Sequence, residues 1–443
     1  MSTVEVCENS VLYTTAYSRL PSNDCFEEDA CPPPFAFPDH FTPSAPMELE
    51  MNVMDDAQKA NKNTKNLVFI AQNKTVICRD MSIVDADGKS KEVWRQVIAQ
   101  PQIFTCNDIH VVHSAGMVVV KTLDKLIGMD AITGKVQWLR KMSLMDVTGL
   151  SSVVVDGLAV YIGFGSKVHA VSVLDGKLLW TQTIDEEGYL FSVVAIVPCG
   201  LSVFACTNRS MAFINASDGT LRWRVPCLSS LPSGPLSAAW DGENTVMIGG
   251  SGTIIPCDLS TGTLGKKLQL SLVNRYNIPM LFDSNKKVFY VNSGSSLCAI
   301  SSGIIPKILW KRSVSKGFAD LCVFPALALE PNRGNIYVAH RNVLVCIDTN
   351  GNKVFSKTLP IPFFERGLVT LVQDIEGSGR LYIGCNGHWL MTDAEGNVLE
   401  SDDLKGLGFH HVFFCSESAS HDLNASGFLC HAFDYRRYMR GLL

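Results

Sequence analysis

The chain has 443 residues, of which 47% are hydrophobic and 18% are charged, and its formal net charge at neutral pH is −5. This composition excludes a wholly disordered chain, and it supplies enough apolar side chains for a large core. The acidic balance argues against a general nucleic-acid-binding protein, so we expect no nucleic-acid partner.

The acidic charge is concentrated in residues 1–63, which carry a net charge of −8, whereas the remaining residues carry +3. The same segment contains a proline-rich stretch, and proline disfavours helices and central strands. Phe35, Phe37 and Phe41 place apolar side chains at close spacing. An extended stretch of this kind is typical of a docking arm. We predict that 1–63 is a separate extension whose phenylalanines contact a partner; the alternative is a tail without a binding role.

Targeting and membrane signals are weak in this sequence. The first thirty residues lack the basic and apolar regions of a secretory signal. The uncharged segment 189–206 is interrupted by Pro198 and Gly200, which predicts two strands and a turn rather than a membrane helix. The fifteen cysteines form no Cys-x-x-Cys pair, which excludes zinc-ribbon and thioredoxin motifs. We expect reduced thiols, a cytoplasmic location and no membrane insertion.

From residue 64 onwards the sequence repeats at intervals of 41 to 48 residues. Each repeat is marked by a glycine, and these are Gly88, Gly134, Gly176, Gly219, Gly262, Gly303, Gly351 and Gly396. Most follow a small polar residue, as a β-turn with a positive-φ glycine requires. An apolar residue stands five positions before each glycine, including Ile83, Cys257, Cys298 and Cys346. We predict that this column is buried and that its thiols are structural.

Each period contains short β-rich runs separated by turn signals, and four short strands per period of about 40 to 50 residues are typical of a propeller blade. The first repeat begins near Leu67 at its second strand, and 409–415 supplies a surplus innermost strand. Sharing one blade between the two chain ends removes open sheet edges. We predict that 64–443 forms an all-β, eight-bladed propeller of four-stranded antiparallel blades, closed by this C-terminal strand.

In the three clearest repeats a tryptophan follows the glycine by four residues. On the outer strand of a blade, such a ring can cover the gap to the next blade. We therefore predict structural roles, with largely buried tryptophans, for the residues Gly134, Trp138, Gly176, Trp180, Gly219 and Trp223.

The pattern Asp-x-x-Thr-Gly-x-x-x-Trp at 130–138 resembles the PQQ repeat. This repeat occurs in quinoprotein alcohol dehydrogenases and in the outer-membrane assembly lipoproteins that share their propeller. The resemblance implies an eight-bladed ring in which one face holds the quinone when there is one. The adjacent Cys-Cys pair and the Cys-x-x-Cys-His haem motif of such enzymes do not occur here. We therefore expect a non-catalytic member with no cofactor, no metal and no catalytic residue.

Loops that join an outer strand to the next inner strand cluster on that face. They carry the aromatic and basic residues Tyr189, Arg275, Tyr276, Phe363, Phe364 and Arg366. Aromatic residues with arginines suit a protein interface, although Phe363 and Phe364 can equally plug a blade junction. We predict a non-enzymatic protein-interaction scaffold that is a subunit of a larger assembly. The alternatives are a quinoprotein-type oxidoreductase that binds PQQ and Ca²⁺ on this face, and a luminal or periplasmic assembly factor or sensor.

Overall fold

In the computed structural model, strands follow one another from Leu67 to Ser416. The structure describes residues 64–416 apart from the segments 99–109, 143–151, 187–193, 228–230, 232–235, 271–279, 315–325, 362–368, 374–378 and 405–411 and the positions 65, 73, 86–87, 123–124, 165, 294, 331–332, 341 and 386. Among the described residues, no helix has the length and hydropathy needed to cross a bilayer.

The strands are short and evenly spaced. Blades 1 to 4 contain β1 (Leu67–Gln72), β2 (Thr75–Val84), β3 (Ser90–Val97), β4 (His110–Ser114), β5 (Met117–Lys121), β6 (Lys125–Asp130), β7 (Val136–Lys141), β8 (Ser152–Asp156), β9 (Ala159–Phe164), β10 (Lys167–Ser172), β11 (Leu178–Thr183), β12 (Ala195–Cys199), β13 (Ser202–Cys206), β14 (Ser210–Asn215) and β15 (Leu221–Pro226). Blades 5 to 8 contain β16 (Ser237–Trp240), β17 (Thr245–Gly250), β18 (Thr253–Asp258), β19 (Leu268–Gln269), β20 (Met280–Asp283), β21 (Val288–Ser293), β22 (Ser296–Ser301), β23 (Ile308–Ser313), β24 (Ala326–Leu329), β25 (Ile336–His340), β26 (Val343–Ile347), β27 (Lys353–Thr358), β28 (Val369–Gln373), β29 (Leu381–Cys385), β30 (His388–Thr392) and β31 (Val398–Asp402). The last strand, β32 (Val412–Ser416), belongs to blade 1.

Eight four-stranded antiparallel sheets form the ring, as predicted. Seven sheets follow chain order, and blade 1 combines β32 with β1, β2 and β3. The closing strand pairs with β1 so that Phe69 lies opposite Cys415. Each innermost strand packs beside the innermost strands of two neighbouring blades. The eight-bladed fold and its closure by the C-terminal strand are therefore confirmed.

The antiparallel order gives the ring two distinct faces. Turns between the first and second strands and between the third and fourth strands of a blade lie on one face, which we call the turn face. Connections between blades lie on the opposite face, the loop face, together with turns between the second and third strands. The repeat glycines belong to the turn face.

The repeat turn of blade 2 shows why these sequences form tight connections. The Asp130 carboxylate accepts hydrogen bonds from the backbone N–H and the hydroxyl of Thr133, both at 2.7 Å. Gly134 then adopts a φ of 68°, a conformation that costs other residues about 1 kcal/mol or more. Its N–H donates to the Asp130 carbonyl at 2.8 Å, which closes the turn.

The apolar column before the repeat glycines lies in the core in most blades. Cys257, Cys298 and Cys346 are fully buried, and burial raises their pKa values to about 12, 11 and 12. These thiols therefore stay protonated and act as small apolar side chains. The expectation is wrong for Ile83, which is 45% exposed. The register shifts within the long strand β2, and Arg79 takes the buried place after the strand irregularity.

Candidate protein-interaction surfaces

The interaction residues predicted from sequence lie outside the described part of the chain. They are Phe35, Phe37 and Phe41, predicted for the docking arm, and Tyr189, Arg275, Tyr276, Phe363, Phe364 and Arg366, predicted for the loop face. Their binding roles stay predictions. The described residues instead define the contacts between blades and the exposed turn face.

The tryptophans of the clearest repeats join each blade to the next. The ring of Trp138 in blade 2 lies over Gly176 of blade 3, where an added Cβ would be 2.4 Å from the ring. Its indole N–H donates to the Val173 carbonyl at 2.8 Å. Trp180 makes the same contacts with Gly219 and with a carbonyl of blade 4. Glycine is required here because any side chain would occupy the space of the ring.

Related contacts join most other blades. Trp94, Trp223 and Trp310 each stack on the repeat glycine of the following blade and donate to a carbonyl in the same turn. Phe355 stacks on the repeat glycine of blade 8 without a donor. Trp180 is buried, whereas Trp138 and Trp223 are half-buried, which is less than predicted. Their position on outer strands leaves part of each ring at the rim.

Blades 5 and 6 are joined by a backbone hydrogen bond instead of an aromatic ring stacked on glycine. Lys266 stands where other repeats have tryptophan, and its N–H donates to the Ile304 carbonyl of blade 6 at 2.9 Å. A Cβ on Gly265 would lie 2.2 Å from the same carbonyl oxygen. The outer strand β19 is accordingly short.

The junction between blades 8 and 1, which we call the seam, is ionic. Glu400 stands four residues after Gly396, in the place of the docking tryptophan, and it is buried. Its carboxylate accepts hydrogen bonds from the Ser90 N–H at 3.0 Å and from the Arg79 guanidinium at 3.2 Å. Arg79 also donates to Asp402 at 2.7 Å. No described atom stacks on the repeat glycine of blade 1.

A cavity of about 320 Å³ lies beside the seam. Lys89, His388, Trp389, Asp402 and Asp403 contribute to its lining. The Lys89 ammonium is 3.7 Å from the Asp402 carboxylate, so charges of both signs already face each other there. The cavity is thus a polar extension of the seam.

Four aliphatic side chains are exposed in turns on the turn face of blades 2, 3 and 4. We call Ile132, Leu158, Leu174 and Leu201 the apolar turn surface. Their exposed fractions are 40%, 39%, 38% and 82%. The Val173 N–H donates to the Leu158 carbonyl at 2.8 Å, which brings Leu158 beside Leu174. Leu201 occupies the equivalent turn of the next blade.

Charged residues take these places elsewhere on the turn face. Glu243 and Lys287, in the corresponding turns of blades 5 and 6, form an ion pair at 2.7 Å. Arg333 of blade 7 lies 3.5 Å from the Glu395 carboxylate of blade 8. Outside blades 2 to 4, the described aliphatic side chains exposed on this face lie at the end of the third strand of blade 1 or in the turn after that of blade 6, at Ile83, Val84 and Ile305. Grouped apolar side chains on a water-exposed surface are typical of protein contacts.

Sequence reasoning missed the apolar turn surface. The available signal is a large aliphatic residue within a turn of small and polar residues, as in Asp156-Gly157-Leu158 and Cys199-Gly200-Leu201. Burial raises the pKa of the Asp156 carboxyl at the start of the first of these turns.

The comparisons with known proteins agree with this architecture. A family model described as "Outer membrane protein assembly factor BamB" matches residues 64–196. The outer membrane protein assembly factor BamB of Yersinia pestis is 25% identical over 317 residues, which cover 63% of this chain and 72% of that protein.

Two solved structures share the propeller fold. The dihydro-heme d1 dehydrogenase NirN in complex with DHE matches with a TM-score of 0.57 and 13% identity, over 81% of this chain and 76% of its own. Sqt1 of Saccharomyces cerevisiae matches with a TM-score of 0.55 and 10% identity, over 80% of this chain and 93% of its own. At these identities the likeness concerns the fold alone. The repeat turns, the rings stacked on glycine and the family match over 64–196 together support the resemblance to the PQQ-repeat β-propeller family.

Proposed function

We propose that this protein is a non-enzymatic protein-interaction scaffold and a subunit of a larger assembly. The apolar turn surface is the observation that carries this proposal. Leaving grouped aliphatic side chains in water is unfavourable, and covering them returns about 25 cal/mol per Å² of apolar surface. A partner protein that covers Leu158, Leu174 and Leu201 supplies that stabilisation.

The curated relative also supports a scaffold role. The Yersinia pestis protein is called an assembly factor, and a scaffold role for this chain fits that description. The dehydrogenase among the solved structures offers no residue-level support for an oxidoreductase, because only the fold is shared.

A cytoplasmic location is part of the proposal. Eight cysteines in the described part of the chain are buried and form no disulfide with one another, which suits a reducing compartment. The relative's name concerns the outer membrane, so a periplasmic location is the competing outcome. Fractionation of cells that express the tagged protein distinguishes the two.

The test of the scaffold role compares two variants of the full chain. Leu158→Ser, Leu174→Ser and Leu201→Ser together remove most of the apolar turn surface. Val97→Ser, Val354→Ser and Leu399→Ser together form the control, because these side chains are also exposed but lie on outer strands. Affinity purification with quantitative mass spectrometry, and gel filtration of the purified complexes, measure partner binding.

We expect the turn-surface variant to lose the partners that the wild-type protein and the control variant retain. Equal partner recovery with both variants contradicts a role for the turn surface. In that case the loop-face residues Arg275, Tyr276, Phe363 and Arg366 are the next site to change. A wild-type protein that migrates as a monomer without partners contradicts the scaffold role itself.

The N-terminal extension is a second proposed contact region. A variant that starts at Thr64, and a full chain with Phe35→Ser, Phe37→Ser and Phe41→Ser, test it separately. We expect both to fold, because the ring has its own core, and both to recover fewer partners. An insoluble ring assigns 1–63 to the fold, whereas unchanged recovery contradicts the docking role.

A further inference from the structure

The stretch from Thr263 to Ser313, which covers the outer part of blade 5 and all of blade 6, is far more basic than the rest of the ring. Between Thr263 and Ser313 there are eight basic residues and a single acidic residue, Asp283. That aspartate is 4% exposed, so it does little to neutralise the surface. The seven basic residues of this stretch that the structure describes are all exposed.

Four of these lysines have free charges. Lys266, Lys267, Lys286 and Lys307 make no side-chain hydrogen bond or ion pair with described residues, in contrast to Lys287, which pairs with Glu243 at 2.7 Å. We call these four lysines, with the apolar residues described next, the basic surface.

Backbone contacts bring the four lysines to one junction. The Lys266 N–H bonds the Ile304 carbonyl in the turn that precedes Lys307. The carbonyl of Lys287 accepts from Ser302 in the same turn at 3.3 Å, which places the neighbouring Lys286 nearby. Two carboxylates of blade 5 lie at the same junction, since Glu243 pairs with Lys287 and the buried Asp241 accepts from the Ser302 hydroxyl at 2.6 Å. The four lysines exceed them in number, and the resulting positive potential attracts anions.

Exposed aliphatic side chains lie among the lysines. Ile305 is 65% exposed, and Ile308 and Leu309 on the adjoining outer strand β23 are 42% and 54% exposed. Nucleic-acid surfaces typically combine basic groups with aromatic rings that stack on bases. Aliphatic anchors among lysines instead complement a peptide that alternates carboxylates with apolar side chains.

We infer that the basic surface at the junction of blades 5 and 6 binds an acidic, leucine-containing segment of a partner protein. The inference rests on the proposed function for its premise that the ring binds proteins, but it uses a different surface. The lysines steer and orient the acidic segment, and Ile305 and Leu309 supply the apolar contact that persists when salt screens the charges.

The experiment uses the full chain and fluorescence anisotropy with a labelled synthetic peptide that alternates glutamates with leucines. Matched peptides replace the glutamates by glutamines or the leucines by serines. A single-stranded oligonucleotide and phosphatidylserine vesicles test the other anionic partners. Each titration is repeated at low and high salt, because electrostatic binding weakens as ionic strength rises.

The charge variant carries Lys266→Glu, Lys267→Glu, Lys286→Glu and Lys307→Glu. Its control carries Lys91→Glu, Lys135→Glu, Lys167→Glu and Lys353→Glu, which make the same change in net charge at exposed lysines of other blades. A third variant, Ile305→Ser with Leu309→Ser, keeps every charge. Circular dichroism and the melting temperature verify that each variant is folded.

We expect the charge variant to bind the acidic peptide about tenfold more weakly, and the control to stay within about twofold of the wild-type protein. The aliphatic variant should lose affinity most clearly at high salt. Equal losses in both charge variants overturn the inference, as does absence of peptide binding. Tighter binding of the oligonucleotide or vesicles, unaffected by the aliphatic variant, assigns the surface to a different anion. Partner loss in the turn-surface variant is measured separately, so the two proposals fail independently.

Discussion

The junction between blades 2 and 3 and the seam between blades 8 and 1 use the same positions with opposite chemistry. Trp138 and Glu400 each stand four residues after a repeat glycine, and each contacts the following blade. The tryptophan stacks on glycine and donates one hydrogen bond, whereas the glutamate accepts from Ser90 and Arg79. The tryptophan contact joins two blades that are consecutive along the chain. The contact of Glu400 with Arg79 joins residues 321 positions apart.

The two kinds of junction contribute differently: the stacked ring stabilises the fold, and the ionic seam provides specificity for one partner blade. A tryptophan ring stacked on glycine buries apolar surface at any junction. Blades that follow one another along the chain are already neighbours, so they need no contact that is specific to one pair of blades. The two ends of the chain must find each other among eight similar blades. A buried ion pair adds little net stability, yet it suits only its own partner. We interpret the seam as the contact that selects the correct closure.

The largest expected effect comes from removing a docked ring. Trp180→Ala should lower the free energy of unfolding by about 4 kcal/mol, since it deletes a buried large aromatic side chain. Denaturant titration followed by circular dichroism measures the change. A wild-type midpoint for this variant contradicts the structural role of the ring.

Two glycine substitutions sharpen this result. Both Gly219 and Gly157 have positive φ, but a Cβ on Gly219 would lie 2.7 Å from the Trp180 ring, whereas a Cβ on Gly157 meets nothing within 4 Å. Gly157→Ala measures the conformational cost alone, about 1 kcal/mol. Gly219→Ala should cost clearly more, because the ring must also move. Equal costs would show that the docking geometry is unimportant.

The next effect concerns the seam. Arg79→Met should destabilise the protein by about 3 kcal/mol, because it leaves the buried Glu400 carboxylate without its cation. Arg95→Met, which breaks an exposed pair with Glu92, is the control and should cost less than about 1 kcal/mol. Thermal or chemical denaturation compares the two variants.

The double variant Arg79→Met with Glu400→Leu separates the two roles of the seam. It should recover part of the lost stability, since no buried carboxylate is left without its cation and Asp402 still has Lys89 at 3.7 Å. The rest is not recovered, because the buried Ser90 N–H loses its acceptor. If the ion pair selects the closing partner, this stable variant should form more oligomers on gel filtration. A double variant that is strictly monomeric contradicts the selection role.

Local rules explain why the number of blades is visible in the sequence. The turn at Asp130–Gly134 depends on one carboxylate and one positive φ within a few residues, so it recurs as a readable pattern. The closing strand is predicted from the number of β-rich runs, because one run remains at 409–415 after the eight repeats are assigned. Both predictions rest on contacts that are local or repeated.

The seam and the apolar turn surface depend on neighbours distant in sequence. The spacing from the glycine predicts Ile83 at the buried position, but the extra residues of β2 shift the register and place Arg79 there. From sequence alone, Leu158 and Leu201 resemble core leucines. In the structure they are exposed because no other blade covers them. Sequence periodicity identifies strands, but it does not show which exposed turns share one face.

A buried histidine makes one ring-docked junction sensitive to acid. His113 on β4 stacks on Phe69 of blade 1 with the ring centroids 5.3 Å apart, and neither ring nitrogen has a partner among the described residues. Burial lowers its pKa from 6.5 to about 4. Between these values the unfolded chain binds a proton that the folded chain does not. Stability from this residue is thus complete above pH 6.5 and is lost as the pH falls towards 4.

The expected loss is about 2 kcal/mol at pH 5 relative to neutral pH. Denaturant titrations across this range, for the wild-type protein and His113→Leu, measure it as a difference, because other titrating groups contribute to both. The variant should show a flatter profile by that amount. Parallel profiles would mean that the histidine is hydrated or paired in solution.

The smallest expected effect concerns the junction between blades 7 and 8, where the docked ring is a phenylalanine. Phe355 cannot donate a hydrogen bond, but the hydroxyl of Tyr337 donates to the Ala394 carbonyl of blade 8 at 3.1 Å. The tyrosine thus supplies across this junction the donor that tryptophan supplies elsewhere. The same hydroxyl also donates to the Glu330 carboxylate within blade 7 at 3.0 Å, so its single proton is shared between the two acceptors.

Tyr337→Phe should therefore cost about 1 kcal/mol, the usual net contribution of one buried hydrogen bond. Tyr290→Phe is the control, because the Tyr290 hydroxyl lies 3.5 Å from Asp283 of its own blade and bridges no junction. Combining each change with Phe355→Trp provides the sharper test by thermal denaturation. The new indole N–H can replace the lost tyrosine donor at blade 8, so Phe355→Trp should offset Tyr337→Phe but not Tyr290→Phe. Equal effects in both backgrounds would show that the tyrosine does not stand in for the missing tryptophan donor.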